Sequence, residues 1–242
     1  MKIKIINPNT TQAMTDGIRE GALTVARPDT EIICVSPEKG PVSIENHHDE
    51  VYASVGVVEE VRKSANDGID AFITACYGDP GLYPAREVAS VPVVGIAEAS
   101  MHLATFVGHR FSVVTILPRW KAVMEDVISR YGLEQKCASI RCTDMEVLEF
   151  ESDPEKGARE LYEESVKAIE EDGAEAICLG CAGMVEFTAD LEKRLGVPVF
   201  DGVTAAVKIA ESLVDLGKTT NKNLYFNYPQ KKEYIGYPDL LG

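Results

Sequence analysis

The sequence predicts an α/β protein of two similar lobes, each a parallel sheet flanked by helices. Short β-branched runs alternate with longer helical patterns, which is typical of strands joined by crossover helices. The stretch AFITACYGDPG at 71–81 is matched by AICLGCAGM at 176–184; in each, an apolar strand ends and a cysteine opens a loop of small residues. The spacing also repeats, with 69 positions from Asn7 to Cys76 (76 − 7) and 66 from Thr115 to Cys181 (181 − 115). These observations predict two pseudosymmetric lobes that face each other across a cleft.

Composition narrows the classes of partner. The chain has 242 residues, of which 45% are hydrophobic and 26% charged, and its net charge is -15. Such an acidic chain is a poor partner for nucleic acid or an anionic membrane surface. The N-terminus MKIKIINPNT leads directly into a strand, and no apolar run approaches the ~18 residues of a membrane span. We therefore expect a cytoplasmic protein whose six cysteines are thiols.

The first half is predicted to alternate strands with helices. Each strand is bounded by turn-forming residues, and the helix from Glu50 to Ala65 is expected to turn Val51, Val58 and Val61 inward. The predicted strands are 2–6, 31–35, 71–75 and 91–96, and the predicted helices are 10–25, 50–65, 84–89 and 97–107.

The second half repeats this order. Strands are predicted at 111–116, 138–142, 175–180 and 197–200, with helices ending at Tyr131 and spanning 155–171 and 202–216. The last helix is expected to return to the first lobe. The predicted division is therefore 1–97 with 203–242 for one lobe and 98–202 for the other. The tail from Lys218 is expected to pack on a lobe or on a neighbouring subunit.

The polar segment 37–49 is too long for a minimal turn and is predicted to be functional or to act as a lid. It ends in the adjacent histidines His47 and His48. Because adjacent histidines point in different directions and no third ligand stands at a suitable spacing, helix capping by Asp49 is favoured over a metal site.

The cysteines differ in their sequence context. Cys34, Cys137 and Cys142 lie in or beside strands and are interpreted as buried small apolar residues. Cys178 and Cys181 form a C-x-x-C pair, yet Cys178 lies inside a strand, which disfavours redox or metal chemistry.

Cys76 and Cys181 instead follow strand ends, where ligands bind in open α/β sheets. One thiolate could remove a proton from carbon while a thiol on the opposite face returns one, without metal or cofactor. Loops leading into helices are expected to lower the pKa of these thiols. The backbone N–H groups of 77–78 and 182–183 are expected to stabilise the oxyanion.

A set of motifs resembles the hydantoin racemase family of the aspartate/glutamate racemase superfamily. The motifs are INPNT at 6–10, GPVSIE at 40–45, ACYGDPG at 75–81, GIAEA at 95–99, LGCAGM at 179–184 and FDGVTAAV at 200–207. The QKK segment of the tail is similar to the allantoin racemase branch. The resemblance implies a two-lobed fold, an oligomer and cofactor-free inversion at C5 of a hydantoin ring.

By that resemblance Cys76 and Cys181 are the two bases. The positions that match the surroundings of the ring are Asn7, Pro41, Val42, Ser43, Gly78, Gly183 and Met184. The candidate substrate-binding set is completed by Tyr77, Ala182 and Thr115, which lie beside the cysteines or at the end of the equivalent strand.

Two alternatives stay open from the sequence. One is a racemase of an acidic amino acid, or a related isomerase or decarboxylase of the superfamily; the other is a small-molecule binder without catalysis. The candidate cleft segments contain no Arg or Lys except Lys39 and Arg119, which favours a neutral ring over a dicarboxylate. The polar segment and the tail predict that hydantoins with a ureido group at C5, as in allantoin, are handled at least as well as benzyl or isopropyl ones.

Overall fold

The computed structural model describes residues 1–235. Its first half forms a four-stranded parallel sheet in the order β2-β1-β3-β4. The strands are β1 (Lys2–Ile6), β2 (Glu31–Val35), β3 (Ala71–Thr74) and β4 (Val93–Gly95), and the helices are α1 (Gln12–Val25), α2 (His47–Lys63), α3 (Leu82–Val88) and α4 (Ile96–Val107).

The second half forms a second parallel sheet in the order β6-β5-β7-β8. Its strands are β5 (Phe111–Thr115), β6 (Cys137–Cys142), β7 (Ala176–Leu179) and β8 (Val199–Asp201). Its helices are α5 (Lys121–Arg130), α6 (Glu149–Ser152), α7 (Pro154–Glu170), α8 (Thr188–Leu195) and α9 (Gly202–Asp215), with 3₁₀ turns at Pro118–Trp120 and Ala182–Phe187.

The two sheets have the same strand order, so the predicted pair of similar α/β lobes is confirmed. In each, the first strand lies between the second and the third, and its carboxyl end therefore adjoins the loop that follows the third. This adjacency brings the residues after β1 close to Cys76, and those after β5 close to Cys181. Parallel strands bind ligands at this edge.

Helices α4 and α9 join the lobes. Helix α9 packs on β3 and β4 of the first sheet, while α4 packs on β7 and β8 of the second, and the two helices pack on each other. A Cβ at Gly202 would lie 2.7 Å from Cβ of Ile96, so only glycine allows this approach. One continuous apolar core consequently extends through both lobes. The packing of α9 on the first sheet is what the predicted domain division requires; the division itself stays a prediction.

Helix α2 departs from its prediction at its start and in its buried face. It begins at His47, and its N-cap is Asn46, whose side chain accepts from the backbone N–H of Asp49; the capping role predicted for Asp49 is therefore wrong. The Asp49 carboxylate accepts from the Asn46 side-chain amide and from the Glu45 backbone N–H, which holds the chain just before the helix. Val51 is 62% exposed, so its predicted inward orientation is wrong, whereas Val57 is fully buried.

The described part of the tail packs on the first lobe. Lys222 donates to the backbone carbonyls of Arg86 and Glu87, and the Phe226 ring meets the Tyr83 ring edge-on. The last part of the predicted tail, 236–242, lies outside the described residues. Within residues 1–235, no helix combines the length and apolarity that a membrane span requires.

Candidate active site

Cys76 and Cys181 lie in the wall of a single small cavity between the lobes. Residues after four strands contribute to it: Asn9 after β1, Cys76 after β3, Trp120 after β5 and Cys181 after β7. The complete lining is Asn9, Met14, Ile44, Ala75, Cys76, Tyr77, Ile116, Trp120, Val147, Gly180, Cys181 and Ala182.

Each cysteine receives a hydrogen bond from the glycine two residues later. The Gly78 backbone N–H donates to the Cys76 sulfur, and that of Gly183 donates to the Cys181 sulfur. The residue after each glycine returns to the cysteine carbonyl: Asp79 N–H lies 2.9 Å from Cys76 O, and Met184 N–H lies 3.2 Å from Cys181 O. The two loops therefore fold locally in the same way, as their equivalent places predict.

Both thiols have raised pKa values, in contrast to the sequence-based expectation. Burial raises the pKa of Cys76 well above its ordinary value, and the charges of Glu50, Cys181 and Asp79 raise it further. Burial raises the pKa of Cys181 to about 11, with smaller contributions from Glu45 and Glu151. The glycine N–H groups lower both values, but loss of solvent outweighs them. The expected lowering is wrong because helix-start donors act here inside a cavity poor in solvent.

Asp79 is a buried carboxylate that fixes the Cys76 loop. It accepts from the backbone N–H groups of Ala97 and Glu98 at the start of α4 and from the Tyr131 hydroxyl of the second lobe. Burial raises the pKa of Asp79 to about 7, although these donors lower it. Its φ of 48° lies in the left-handed region, which is strained for a residue with a side chain. The loop is thus held by contacts to both lobes.

Asn7, Thr115 and Met184, three of the predicted ring-binding residues, lie behind the cavity wall. The Asn7 amide donates to the side chains of Asn9 and Thr15, so its donors are occupied. The Thr115 hydroxyl donates to the Gly180 carbonyl and thereby holds the loop before Cys181. Met184 is fully buried in the core.

The predicted residues Pro41, Val42 and Ser43 lie in the 37–49 segment, which is hydrogen-bonded to the loop after β1. The Pro41 carbonyl accepts from Thr10 N–H at 3.0 Å, and the Val42 carbonyl accepts from the Thr11 hydroxyl at 2.7 Å. The Val42 side chain is 61% exposed and Ser43 is partly buried. Ile44, which was not predicted, is the residue of this segment that lines the cavity.

A hydrogen bond connects this segment to the second lobe. The Val147 N–H donates to the Glu45 carboxylate at 3.2 Å, and Val147 itself lines the cavity. The segment that bears Val147 follows β6 and gave no helical or strand pattern in the sequence. The single tryptophan of the chain, Trp120, was also missed, although its place just after a strand end could have indicated it.

His47 and His48 do not meet on a common site. His47 faces Glu50 at 3.3 Å, while the His48 ring packs against Tyr52. Among residues 1–235, no group of three or more His, Cys, Asp or Glu side chains is arranged to hold a metal ion. All six cysteines are free thiols in the structure.

The fold therefore has two parallel-sheet lobes, each of which contributes one cysteine to a shared cavity. The sequence also matches the model of a known protein family. The model for Asp/Glu/Hydantoin racemase matches residues 3–210, and the chain belongs to this family.

Individual relatives cover almost the whole chain. A hydantoin racemase of Pseudomonas sp. (strain NS671) is 57% identical over 242 residues, covering 100% of this chain and 97% of the relative. The structure of allantoin racemase from Klebsiella pneumoniae superposes with a TM-score of 0.97 at 45% identity, covering 100% of this chain and 99% of that one. The structure of an allantoin racemase from Pseudomonas fluorescens superposes with a TM-score of 0.95 at 44% identity, covering 98% of this chain and 100% of that one.

Proposed function

We propose that this protein is a cofactor-independent racemase that inverts C5 of a 5-substituted hydantoin through two thiols. The observation that carries the proposal is the position of Cys76 and Cys181 at equivalent strand ends of two lobes, in the wall of one cavity. Membership of the family and the similarity to a hydantoin racemase and to allantoin racemases support the reaction class.

The chemistry needs one thiolate and one thiol. The thiolate takes the proton from C5, and the electron pair of the C–H bond moves into the adjacent C4 carbonyl. The thiol of the other cysteine then gives its proton to the opposite face of C5. The configuration is inverted, and the negative charge now rests on the second sulfur. The reverse enantiomer uses the same steps in the opposite direction, so no external acid or base is consumed.

The glycine N–H groups support the charge that alternates between the sulfurs. Gly78 donates to Cys76 and Gly183 donates to Cys181, so each sulfur has a donor when it is a thiolate. This use differs from the predicted one, in which both glycines donate to the substrate oxyanion. The amides of Tyr77 and Ala182, which also line the cavity, remain our candidates for contact with the ring.

A neutral substrate fits the charge around the cavity better than an acidic amino acid. Glu50 and Asp79 act on the first thiol, and Glu45 and Glu151 act on the second. These carboxylates would repel a dicarboxylate. Among the lining residues of the described chain there is no lysine or arginine to offset that repulsion. A hydantoin ring instead offers two carbonyls and two N–H groups without a fixed charge.

The identity of the C5 substituent depends on the rest of the lining. Met14, Ile44, Ile116 and Val147 present apolar side chains, which favour a substituent without hydrogen-bonding groups. A ureido group would lose its hydrogen bonds to water there. The sequence analysis predicted that allantoin is handled at least as well as hydantoins with a benzyl or isopropyl group, and that preference stays a prediction. The apolar lining instead favours the benzyl and isopropyl substituents.

The test is the decay of optical rotation of single enantiomers of 5-isopropylhydantoin, 5-benzylhydantoin and allantoin, followed from either enantiomer to zero. The proposal expects enzyme-dependent decay for at least one of them, abolished when both cysteines are replaced by serine. A non-catalytic binder would leave the rotation unchanged and would exchange no C5 proton in heavy water. Racemisation of aspartate or glutamate, with every hydantoin inert, would support the alternative instead.

A further inference from the structure

Trp120 is the largest side chain that is completely buried, and it lies against the loop of the first cysteine. It follows β5 of the second lobe, yet its Cη2 atom would lie 3.3 Å from a Cβ placed on Gly78 of the first lobe. Gly78 in turn donates to the Cys76 sulfur. The indole therefore reaches across the cleft to the immediate surroundings of one of the proposed bases.

The indole N–H has no protein partner. Trp120 is 1% exposed, and its Nε1 atom is buried without a hydrogen-bond acceptor among the residues that the structure describes. Native proteins rarely leave a buried N–H unpaired, because the group loses its hydrogen bonds to water. Trp120 lines the cavity, so a bound molecule can supply the missing acceptor.

The Tyr77 hydroxyl and one N–H of the Asn9 amide already have partners. The Tyr77 hydroxyl pairs with Ser100 at 2.7 Å, and the Asn9 amide donates to the Met14 sulfur at 3.3 Å. The two glycine N–H groups are directed to the cysteine sulfurs. The Trp120 N–H is thus a side-chain donor of the cavity that stays available to a ligand.

We propose that Trp120 Nε1–H donates a hydrogen bond to a carbonyl oxygen of the bound hydantoin ring, an inference that rests on the proposed function. An indole N–H can only donate, and the two carbonyl oxygens are the acceptors that every hydantoin presents. The contact orients the ring between the sulfurs and holds its plane, independently of the C5 substituent.

The experiment uses the fact that the chain contains one tryptophan. A ¹⁵N-labelled sample of the complete protein gives one indole N–H resonance, and unsubstituted hydantoin is the probe because turnover leaves it chemically unchanged. Saturation is followed separately, as inhibition of racemisation of 5-isopropylhydantoin. We expect the indole proton to shift downfield and to exchange more slowly with solvent at saturation. An unmoved resonance at saturating hydantoin would overturn the inference while leaving the proposed function intact.

If unsubstituted hydantoin does not inhibit racemisation, the inference is overturned, because the proposed contact does not depend on the C5 substituent. If no hydantoin is racemised, the proposed function is refuted, and the inference with it. A matched pair of variants gives the kinetic readout. Trp120→Phe keeps an aromatic ring but removes the donor, and kcat/KM should fall about tenfold or more for every hydantoin tested. The control is Ser165→Ala in α7, which also removes a buried polar group without a partner, here a hydroxyl outside the cavity lining; its kcat/KM should stay unchanged. Equal losses in both variants would assign Trp120 a packing role only.

Discussion

The loop after β3 and the loop after β7 occupy equivalent places, and they differ in what surrounds the sulfur. In both, a glycine N–H donates to the cysteine. The Cys76 loop continues into the buried carboxylate of Asp79, whereas the Cys181 loop continues into the apolar Met184. A Cβ on Gly78 would lie 2.2 Å from the Glu50 carboxylate; one on Gly183 would meet only Met14 and Cys181, at 3.7 and 3.9 Å. The backbone is repeated, while the electrostatic environment is not.

The two proposed bases are therefore alike in geometry but unequal in acidity. More negative charge lies close to Cys76, and its pKa is raised by Glu50 and Asp79 in addition to burial. The enzyme must carry one thiolate to start a turnover. Because the pKa of Cys181 is raised to about 11 with weaker contributions from carboxylates, we expect the resting thiolate to form more readily on Cys181 than on Cys76.

Replacement of either cysteine should have the largest effect. In Cys76→Ser or Cys181→Ser the hydroxyl has a far higher pKa than the thiol and cannot act as the base. Racemisation should fall about 10²- to 10⁴-fold or more in each variant, measured by polarimetry from both enantiomers. Circular dichroism must first show that the variants fold. Either variant racemising at the wild-type rate would contradict the requirement for one base on each face.

The paired glycines give the next largest contrast. Gly78→Ala places a methyl group on the Glu50 carboxylate and against Trp120, so the loop or these side chains must shift. We expect kcat/KM to fall about tenfold or more. Gly183→Ala makes only ordinary contacts and serves as the control, with an expected change within about threefold. Equal losses in the two variants would mean that both loops tolerate a side chain equally. The difference in surroundings between Gly78 and Gly183 would then not affect kcat/KM.

The carboxylates should act selectively on the thiol that each one faces. Glu50→Gln removes a charge that raises the pKa of Cys76, and Glu45→Gln removes one that raises the pKa of Cys181. Each variant should move the alkylation profile of its own cysteine to lower pH and leave the other unchanged. Iodoacetamide labelling resolved by peptide mass spectrometry measures both profiles. In the wild type, neither profile should reach a plateau below about pH 9, because burial raises the pKa of both thiols. A plateau near neutrality would refute the raised pKa values.

Removal of metal ions by a chelator should not change the racemisation rate. The two thiols account for both proton transfers, so exhaustive treatment with EDTA should leave the racemisation rate within experimental error. Alkylation of the thiols in a parallel sample should abolish it. Loss of activity on chelation, restored by a divalent metal, would sink the two-thiol mechanism.

The sequence predicted the parts of the fold that depend on local pattern. The bounds of β1 and β2 match residue for residue, since their apolar runs are closed by turn formers. The repeated pattern of a strand, a cysteine and a glycine predicted equivalent places for Cys76 and Cys181 in the two lobes. The buried face of α2 was predicted only in part: Val61 is buried as predicted, whereas Val51 is exposed. Glu60 is buried instead through its ion pair with Lys4 of β1, a distant partner that the helical pattern does not show.

The walls of the cavity were predictable only in part, for a similar reason. Trp120 and Val147 come from segments after strand ends whose paths depend on the opposite lobe, and no periodicity marks them. Asn7 was predicted to meet the ring from the family resemblance, and Thr115 from its place at the end of the equivalent strand. They instead bond to Asn9, Thr15 and Gly180, which a sequence cannot reveal because these contacts depend on the three-dimensional path of each loop.

The most direct test of the central claim follows C5–H exchange in heavy water for the two single variants, Cys76→Ser and Cys181→Ser, with each enantiomer of one hydantoin. The remaining cysteine can still take the proton from its own face and return deuterium to it. We predict that each variant exchanges one enantiomer with retention, that the two variants prefer opposite enantiomers, and that the double variant exchanges neither. If both single variants exchange the same enantiomer, the assignment of Cys76 and Cys181 to opposite faces of the ring is contradicted.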